Sequence, residues 1–390
     1  MKKQDFDEII PRKGTNCEKY DLLESYFGNG NAIPLWVADG DFRVPEFITS
    51  AIRYRADHEI YAYSYRPAGY YNAIINWQKV RHDWTIDQEM ILPTQGVVST
   101  LSSIIMAFTS AGDKVIVQPP VYTPFFSCVR DCGRIVVENP LKFSNGSYSF
   151  DLEDLSRKID QGTKLLILCN PHNPVGRVWT KQELLDLGDI CLKNNVLIIS
   201  DEIHSDLIFS GNNHLPLPKV SEQLASNCIV CMAPSKTFNI AGLATSFVII
   251  PDKGIRQQFD HFLRMLHLKN GNLFGNIALE AAYHFGMEWV DQQNKYLEAN
   301  RDLMYAFFRD KMTRIKMTPM EATYLAWLDF REYDIPEAEM NRLLIDKVEI
   351  VLNKGSIYGK EGEGFFRLNF ACPRQVLEEA LSRMEAVLGG

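Results

Sequence analysis

Residues 164–176 read KLLILCNPHNPVG, residues 196–204 read VLIISDEIH, and residues 228–236 read CIVCMAPSK. Each stretch is a short apolar, β-branched run that ends in a polar cluster. Continuous apolar runs without polar alternation suggest strands buried on both faces of a sheet. In open α/β sheets, ligands bind beyond the carboxyl ends of the strands. The three runs therefore aim Asn173, Asp201 and Lys236 toward one cleft. Loop polarity would explain each residue singly; their joint placement is the informative fact.

Further strands read outward from this centre: KVIVQP (114–119), RIVVEN (134–139) and SFVIIP (246–251). Helical patterns lie between them. Thr180 and Glu183 form a capping box that starts one helix. Another is expected just after Gly96, where Val97, Val98, Leu101, Ile104, Ile105 and Phe108 share a face at helical spacing. Its start offers free N–H groups, either an anion site or only a tight turn. Such alternation implies an α/β core with a mainly parallel sheet. A charged helix over about 285–312 leads to AWLDF, EIVLN and FFRLNFA, then to a final helix from about Arg374. This block reads as a smaller α+β unit. Residues 1–45, punctuated by Pro34 and Pro45, are too short for a domain and are expected to pack on it.

The chain has 390 residues, 46% hydrophobic and 23% charged, which suits a globular enzyme of two or three units. No apolar run approaches the ~18 residues of a membrane-spanning helix. The start, MKKQDFDEII, has no signal-peptide pattern, so a cytoplasmic location is expected. A net charge of −8 without a long basic run argues against nucleic acid as a partner. The eight cysteines are too dilute for a disulfide scaffold. Cys228 and Cys231, three apart on one strand, point to opposite faces and cannot easily share a metal ion. They read as reduced core thiols.

Lys236 lies between Pro234 and Phe238 and is bounded by apolar strands. Burial lowers an ammonium pKa and exposes a nucleophilic amine, as Schiff-base chemistry requires. Asp201, one strand away, could pair with a cationic ring nitrogen, the arrangement of pyridoxal phosphate (PLP) enzymes. A metal site at Asp201, Glu202, His204 and Asp206 is the rival reading, but along a strand end these side chains diverge and no second histidine pair supports them. No G-x-G-x-x-G, Walker or G-x-S-x-G motif is present.

The chain resembles the fold-type I PLP enzymes of the class I/II aminotransferase superfamily over essentially its full length. Asn-Pro-His-Asn-Pro-Val-Gly (170–176), Asp-Glu-Ile-His (201–204) and Ser-Lys-Thr-Phe-Asn (235–239) carry the resemblance. Within that superfamily it is similar to the cystathionine β-lyase branch of C–S lyases. The marks are Trp36-Val37-Ala38-Asp39, Asp41-Phe42, Arg81-His82, Pro119-Pro120-Val121-Tyr122, NPHNPVGR, DEIHSDL, SKTFN and RLNFACPR. The resemblance implies a large PLP-binding domain over 46–285 with a mainly parallel, seven-stranded sheet flanked by helices. It implies a smaller α+β domain from 1–45 and 286–390.

The same resemblance assigns roles. Lys236 would carry the cofactor and move the substrate's α-proton, Asp201 would pair with the pyridine nitrogen, and Asn173 would bond the phenolic oxygen. His204 stands where many aminotransferases carry tyrosine, and a structural histidine is the plainer alternative. Tyr122 would stack on the ring. Gly96, Val97, Val98 and Ser235 would cradle the phosphate, joined by Tyr63 of a neighbouring subunit in a homodimer. Arg367 would clamp the carboxylate of an amino-acid substrate, because its planar fork suits that group.

Gly40 replaces a methionine usual in the lyase branch near the substrate carboxylate; Ala62, Gln95, Ser99, Ala233 and Ala244 also depart from superfamily patterns. The implied activity is PLP-dependent β-elimination on cystathionine or related L-cysteine thioethers, giving a thiol, pyruvate and ammonia. An aminotransferase, or a cofactor-binding protein with little turnover, is the alternative. The short stretch before Trp36 counts against a fused DNA-binding regulator.

Overall fold

The computed structural model describes residues 4–389; residues 1–3 and 390, the outer ends of the expected smaller domain, lie outside the described residues. Seven strands make one sheet: β1 (Ile91–Thr94), β2 (Lys114–Val117), β3 (Ile135–Glu138), β4 (Thr163–Cys169), β5 (Leu197–Asp201), β6 (Cys228–Met232) and β7 (Ser246–Ile249). Their order is β1-β7-β6-β5-β4-β2-β3. All neighbours are parallel except β7, which runs antiparallel to both β1 and β6. The three strands quoted first are adjacent, and the register Cys169–Asp201–Cys231 brings their carboxyl ends level.

The apolar runs are buried on both faces. Leu166, Leu168, Ile198, Cys228 and Val230 face one core layer, while Leu165, Ile167, Ile199, Ile229 and Cys231 face the other. Cys228 and Cys231 thus point to opposite sides, as a period of two requires. All eight cysteines are free.

Helices cover both faces: α1 (Ala68–His82), α2 (Val97–Phe108), α3 (Lys181–Lys193), α4 (Leu273–Phe285) and α5 (Met287–Asp310), with α6 (Arg374–Leu388) ending the chain. Trp77 of α1, Leu184 of α3 and Leu279 of α4 enter the first layer; Leu101 and Ile104 of α2 enter the second. The capping box that starts α3 is present in full. The expected apolar face of α2 needs correction at two positions. Val98 is exposed and turns toward a cavity, and Phe108 is only partly buried.

A second sheet holds β8 (Lys316–Met317), β9 (Leu325–Asp329), β10 (Asn353–Lys354) and β11 (Phe365–Asn369) in the antiparallel order β8-β9-β11-β10. EIVLN is not one strand. Ile350–Val351 pairs in parallel with Ile33–Pro34, and Asn353 then turns to β11. The N-terminal segment is tied down by charge as well. Lys19 is fully buried with its Nζ 2.8 Å from Asp41, and Arg12 lies 2.6 Å from Asp41 and 2.7 Å from Asp39. A buried ammonium is tolerated only when paired in this way. Among the described residues no helix is long and apolar enough to cross a membrane.

Candidate active site

A cavity of about 320 Å³ opens at the carboxyl ends of β4, β5 and β6. Asn173, Asp201, Lys236, His204, Tyr122, Ser235, Gly96, Val97 and Val98 all line it. Each reaches it by a different route. Asp201 is the last residue of β5, Asn173 and Lys236 follow β4 and β6, and Gly96 caps α2 in a positive-φ conformation (φ 87°). Only glycine adopts that conformation without strain. It turns the first N–H groups of α2, which no helical carbonyl can accept, toward the cavity.

Lys236 and Asp201 have opposite electrostatic problems. Lys236 Nζ donates to the Ala38 carbonyl at 2.7 Å. Its pKa is pushed down to about 8, first by burial and next by the positive charge of Arg367. Asp201 is buried and accepts only the Ile203 N–H, at 3.2 Å, among the hydrogen bonds of the described residues. Burial pushes its carboxyl up to about 7. An ammonium whose proton is loosened thus shares a cavity with a carboxyl that lacks a cation at hydrogen-bonding distance. Such pairs of displaced pKa values cluster at functional sites.

His204 is buried, its Nδ1 has no partner, and its ring meets Tyr324 edge-on at 6.0 Å. Burial, with Lys236 and Arg367 nearby, pushes its pKa down to about 3, so the ring is neutral. Tyr122 is pushed up to about 12 by burial and then by Asp201. The four residues of the rival metal reading diverge. Asp201 and His204 face the cavity, Glu202 turns to His214 at 2.7 Å, and Asp206 turns to His82 at 3.0 Å.

Three expected residues stand outside the cavity walls: Arg367, Gly40 and Tyr63. Arg367, buried on β11, donates to Asn173 Oδ1 at 3.2 Å and to the Trp36 carbonyl at 2.7 Å. Its Nε has no partner, and no carboxylate pairs with it among the described ion pairs. Gly40 is buried, and Asn239 holds both its N–H (3.0 Å) and its carbonyl (2.8 Å). A Cβ there would meet Phe42 at 3.4 Å, an ordinary contact. Tyr63 is fully exposed on the segment before α1, beside exposed Tyr61 and Tyr65.

The strip Trp36–Gly40 over the cavity is held by two residues to which the sequence reading gave no role. Asn369 donates to the carbonyls of Val37 (2.5 Å) and Asp39 (2.7 Å), and the Tyr324 hydroxyl donates to Ala38 (3.1 Å). Asn369 lies two residues after Arg367, so both project from the same face of β11. That spacing was a usable signal. Tyr324 offered none.

The aminotransferase class I and II profile matches residues 38–384. The chain belongs to that family. Among its relatives, cystathionine beta-lyase PatB of Bacillus subtilis (strain 168) is 44% identical over 384 residues, covering 98% of this chain and 99% of that protein. Cystalysin from Treponema denticola, whose structure contains a pyridoxal 5'-phosphate cofactor, is 36% identical with a TM-score of 0.95, covering 99% and 98%. The PLP-bound C–S lyase from Staphylococcus hominis is 33% identical with a TM-score of 0.91, covering 99% and 98%. The large, mostly parallel sheet flanked by helices is the fold of these class I/II family members.

Proposed function

We propose that this chain is a PLP-dependent C–S lyase that performs β-elimination on L-cystathionine or a related L-cysteine thioether. The observation that carries this reading is the pairing, in one cavity, of the low-pKa Lys236 amine with the buried Asp201 carboxyl. The 44% identity to a cystathionine beta-lyase over nearly the whole chain supports the reaction class.

The residues present fit the cofactor. A buried carboxylate without a cationic partner suits a protonated ring nitrogen, and the exposed N–H groups at the start of α2 suit a phosphate. When bound, PLP supplies an electron sink for the pair left on the substrate α-carbon. Lys236 Nζ would carry the cofactor and take the α-proton. Asp201 would keep the ring nitrogen protonated, Asn173 would donate to the phenolic oxygen, and Tyr122 would stack on the ring. His204 would stand beside them as a neutral imidazole. Gly96, Val97, Val98 and Ser235 would hold the phosphate. Arg367 would hold the substrate carboxylate with its unpartnered edge, and Gly40 would shape that end through the strip it belongs to. The α-proton leaves to Lys236, the Cα–H pair becomes a Cα=Cβ bond, and the C–S bond breaks as the thiolate departs. Water then converts the released enamine to pyruvate and ammonia.

The same reading has a homodimer in the cytoplasm. Tyr63 would reach the phosphate of the partner's site, and the exposed aromatic row at Tyr61, Tyr63 and Tyr65 supports an interface there. Eight free thiols support a reducing compartment. The large domain would span 46–285, and the small one 1–45 with 286–390.

The site assignment is tested by reducing the loaded protein with borohydride and mapping the labelled peptide. The label is expected on Lys236 and absent from Lys236→Ala. A Lys236→Ala protein that still forms a reducible adduct would overturn the assignment.

A further inference from the structure

Behind Lys236, away from the cavity, lies a polar cluster that the chemistry proposed above does not use. Asp206 is buried, and its carboxylate meets three partners. Trp77 Nε1 and His82 Nε2 lie 3.0 Å from Oδ1, and Thr237 Oγ1 lies 2.9 Å from Oδ2. A carboxylate can only accept here, so each partner donates. Thr237, fully buried, is the residue after Lys236. Its carbonyl takes Gln293 Nε2 at 3.1 Å, and the neighbouring Asn294 donates to the Asp206 carbonyl at 2.8 Å. Two consecutive residues of α5 therefore grip both ends of the Asp206–Thr237 contact.

The lysine loop is held on both sides of Lys236. Phe238 N–H bonds the Pro234 carbonyl and Ile240 N–H bonds that of Ser235, which closes a turn; further along, Phe238 stacks on Trp289 and Asn239 bonds Gly40. At the residue next to Lys236, the Thr237 side chain is the tie to the chain beyond β5. Threonine is stiff at χ1, so fixing its Oγ1 also fixes the backbone that carries it. Burial leaves Asp206 no water to exchange for these donors, which makes the contact hard to give up.

We propose that Asp206 and Thr237 are positioning residues for Lys236: the Asp206 carboxylate holds the Thr237 hydroxyl, and the adjoining peptide sets the direction in which the Lys236 amine enters the cavity. The proposal rests on the assignment of Lys236 as the amine that carries the cofactor.

The test uses the full chain stripped of PLP. Covalent capture of added PLP is followed by absorbance, then kcat and KM for L-cystathionine are measured on the reloaded protein. Thr237→Val keeps the shape and removes the hydroxyl. It is expected to slow capture about tenfold and to lower kcat by a similar factor, with KM unchanged within about twofold. Thr237→Ser restores the hydroxyl and is expected to return both rates to within about threefold of the original. A purely structural role would lower the unfolding midpoint of Thr237→Val while leaving capture rate and kcat unchanged; that result overturns the proposal. If Thr237→Val does not fold, Thr237→Ala takes its place; it removes the same hydroxyl with less bulk in the buried site. Capture by Thr237→Ala at the original rate overturns the proposal as well. Capture by the unaltered chain on a residue other than Lys236, read from the mass of the reduced peptide, would instead overturn the cofactor assignment.

Discussion

Arg367 Nη1 lies 3.2 Å from Asn173 Oδ1, so a side chain of the four-stranded sheet touches a wall of the cavity that the seven-stranded sheet builds. The guanidinium spends its other terminal nitrogen on the Trp36 carbonyl and leaves Nε without a partner. A buried guanidinium satisfied by neutral oxygens alone is prepared for a carboxylate, which would give it charge-assisted, parallel bonds.

Arg367→Ala is therefore expected to raise KM for the amino-acid substrate about 30-fold or more, with a smaller fall in kcat. Arg367→Lys should recover little of the loss, because a point charge does not reproduce the planar fork. Steady-state kinetics check both; a KM unchanged in Arg367→Ala removes the carboxylate role.

Asp201 makes two predictions, one for each of two substitutions. With the ring nitrogen no longer held protonated, Asp201→Ala should lower kcat about 100-fold or more while still taking up cofactor. In the cofactor-free protein three strongly shifted buried groups contribute to the pH dependence, alongside buried His82, which is also pushed down. His172 and His204, pushed down to about 4 and about 3 by burial, bind fewer protons folded than unfolded, so stability falls as pH drops from 6.5 toward 4. Asp201, pushed up to about 7, binds more protons folded, so its contribution is lost as pH rises from about 4 through 7 and partly offsets the histidines. Asp201→Asn removes that offset. Denaturant midpoints between pH 4.5 and 6.5 should then rise more steeply with pH than in the unaltered protein; a shallower rise contradicts the assignment.

Tyr63 is tested by complementation. Lys236→Ala and Tyr63→Ala proteins should each be nearly inactive alone. Mixed and re-equilibrated, half the dimers would be hybrids with one intact site, so about a quarter of full activity should return. No recovery despite hybrid formation would show that Tyr63 does not serve the partner's site.

Much of the centre of the molecule was legible because local chemistry and tertiary role agree there. The runs ending in Asn173, Asp201 and Lys236 are apolar on both sides because both sheet faces are covered, and the Thr180–Glu183 box marks the start of α3. Strand β1 was not legible. Its sequence, ILPT, is four residues with a proline inside, a pattern that normally argues against a strand. It survives because β1 lies at the sheet edge, paired only with β7. Lys19 was hidden for a different reason. A lone lysine in a polar segment reads as solvated, and only the fold brings Asp39 and Asp41 around it. Likewise Asp206 had a role in the sequence reading only as a member of the rival metal set, until its donors, from α1 and from the residue after Lys236, were assembled around it.

The central claim, a lyase rather than an aminotransferase, is tested most directly by incubating the PLP-loaded protein with L-cystathionine and no keto acid. Continuous release of pyruvate, matched by an equal amount of free thiol over many turnovers, is the predicted result. Pyruvate or thiol that never exceeds one equivalent per site, with amino-group transfer appearing only when a keto acid is added, would contradict the account.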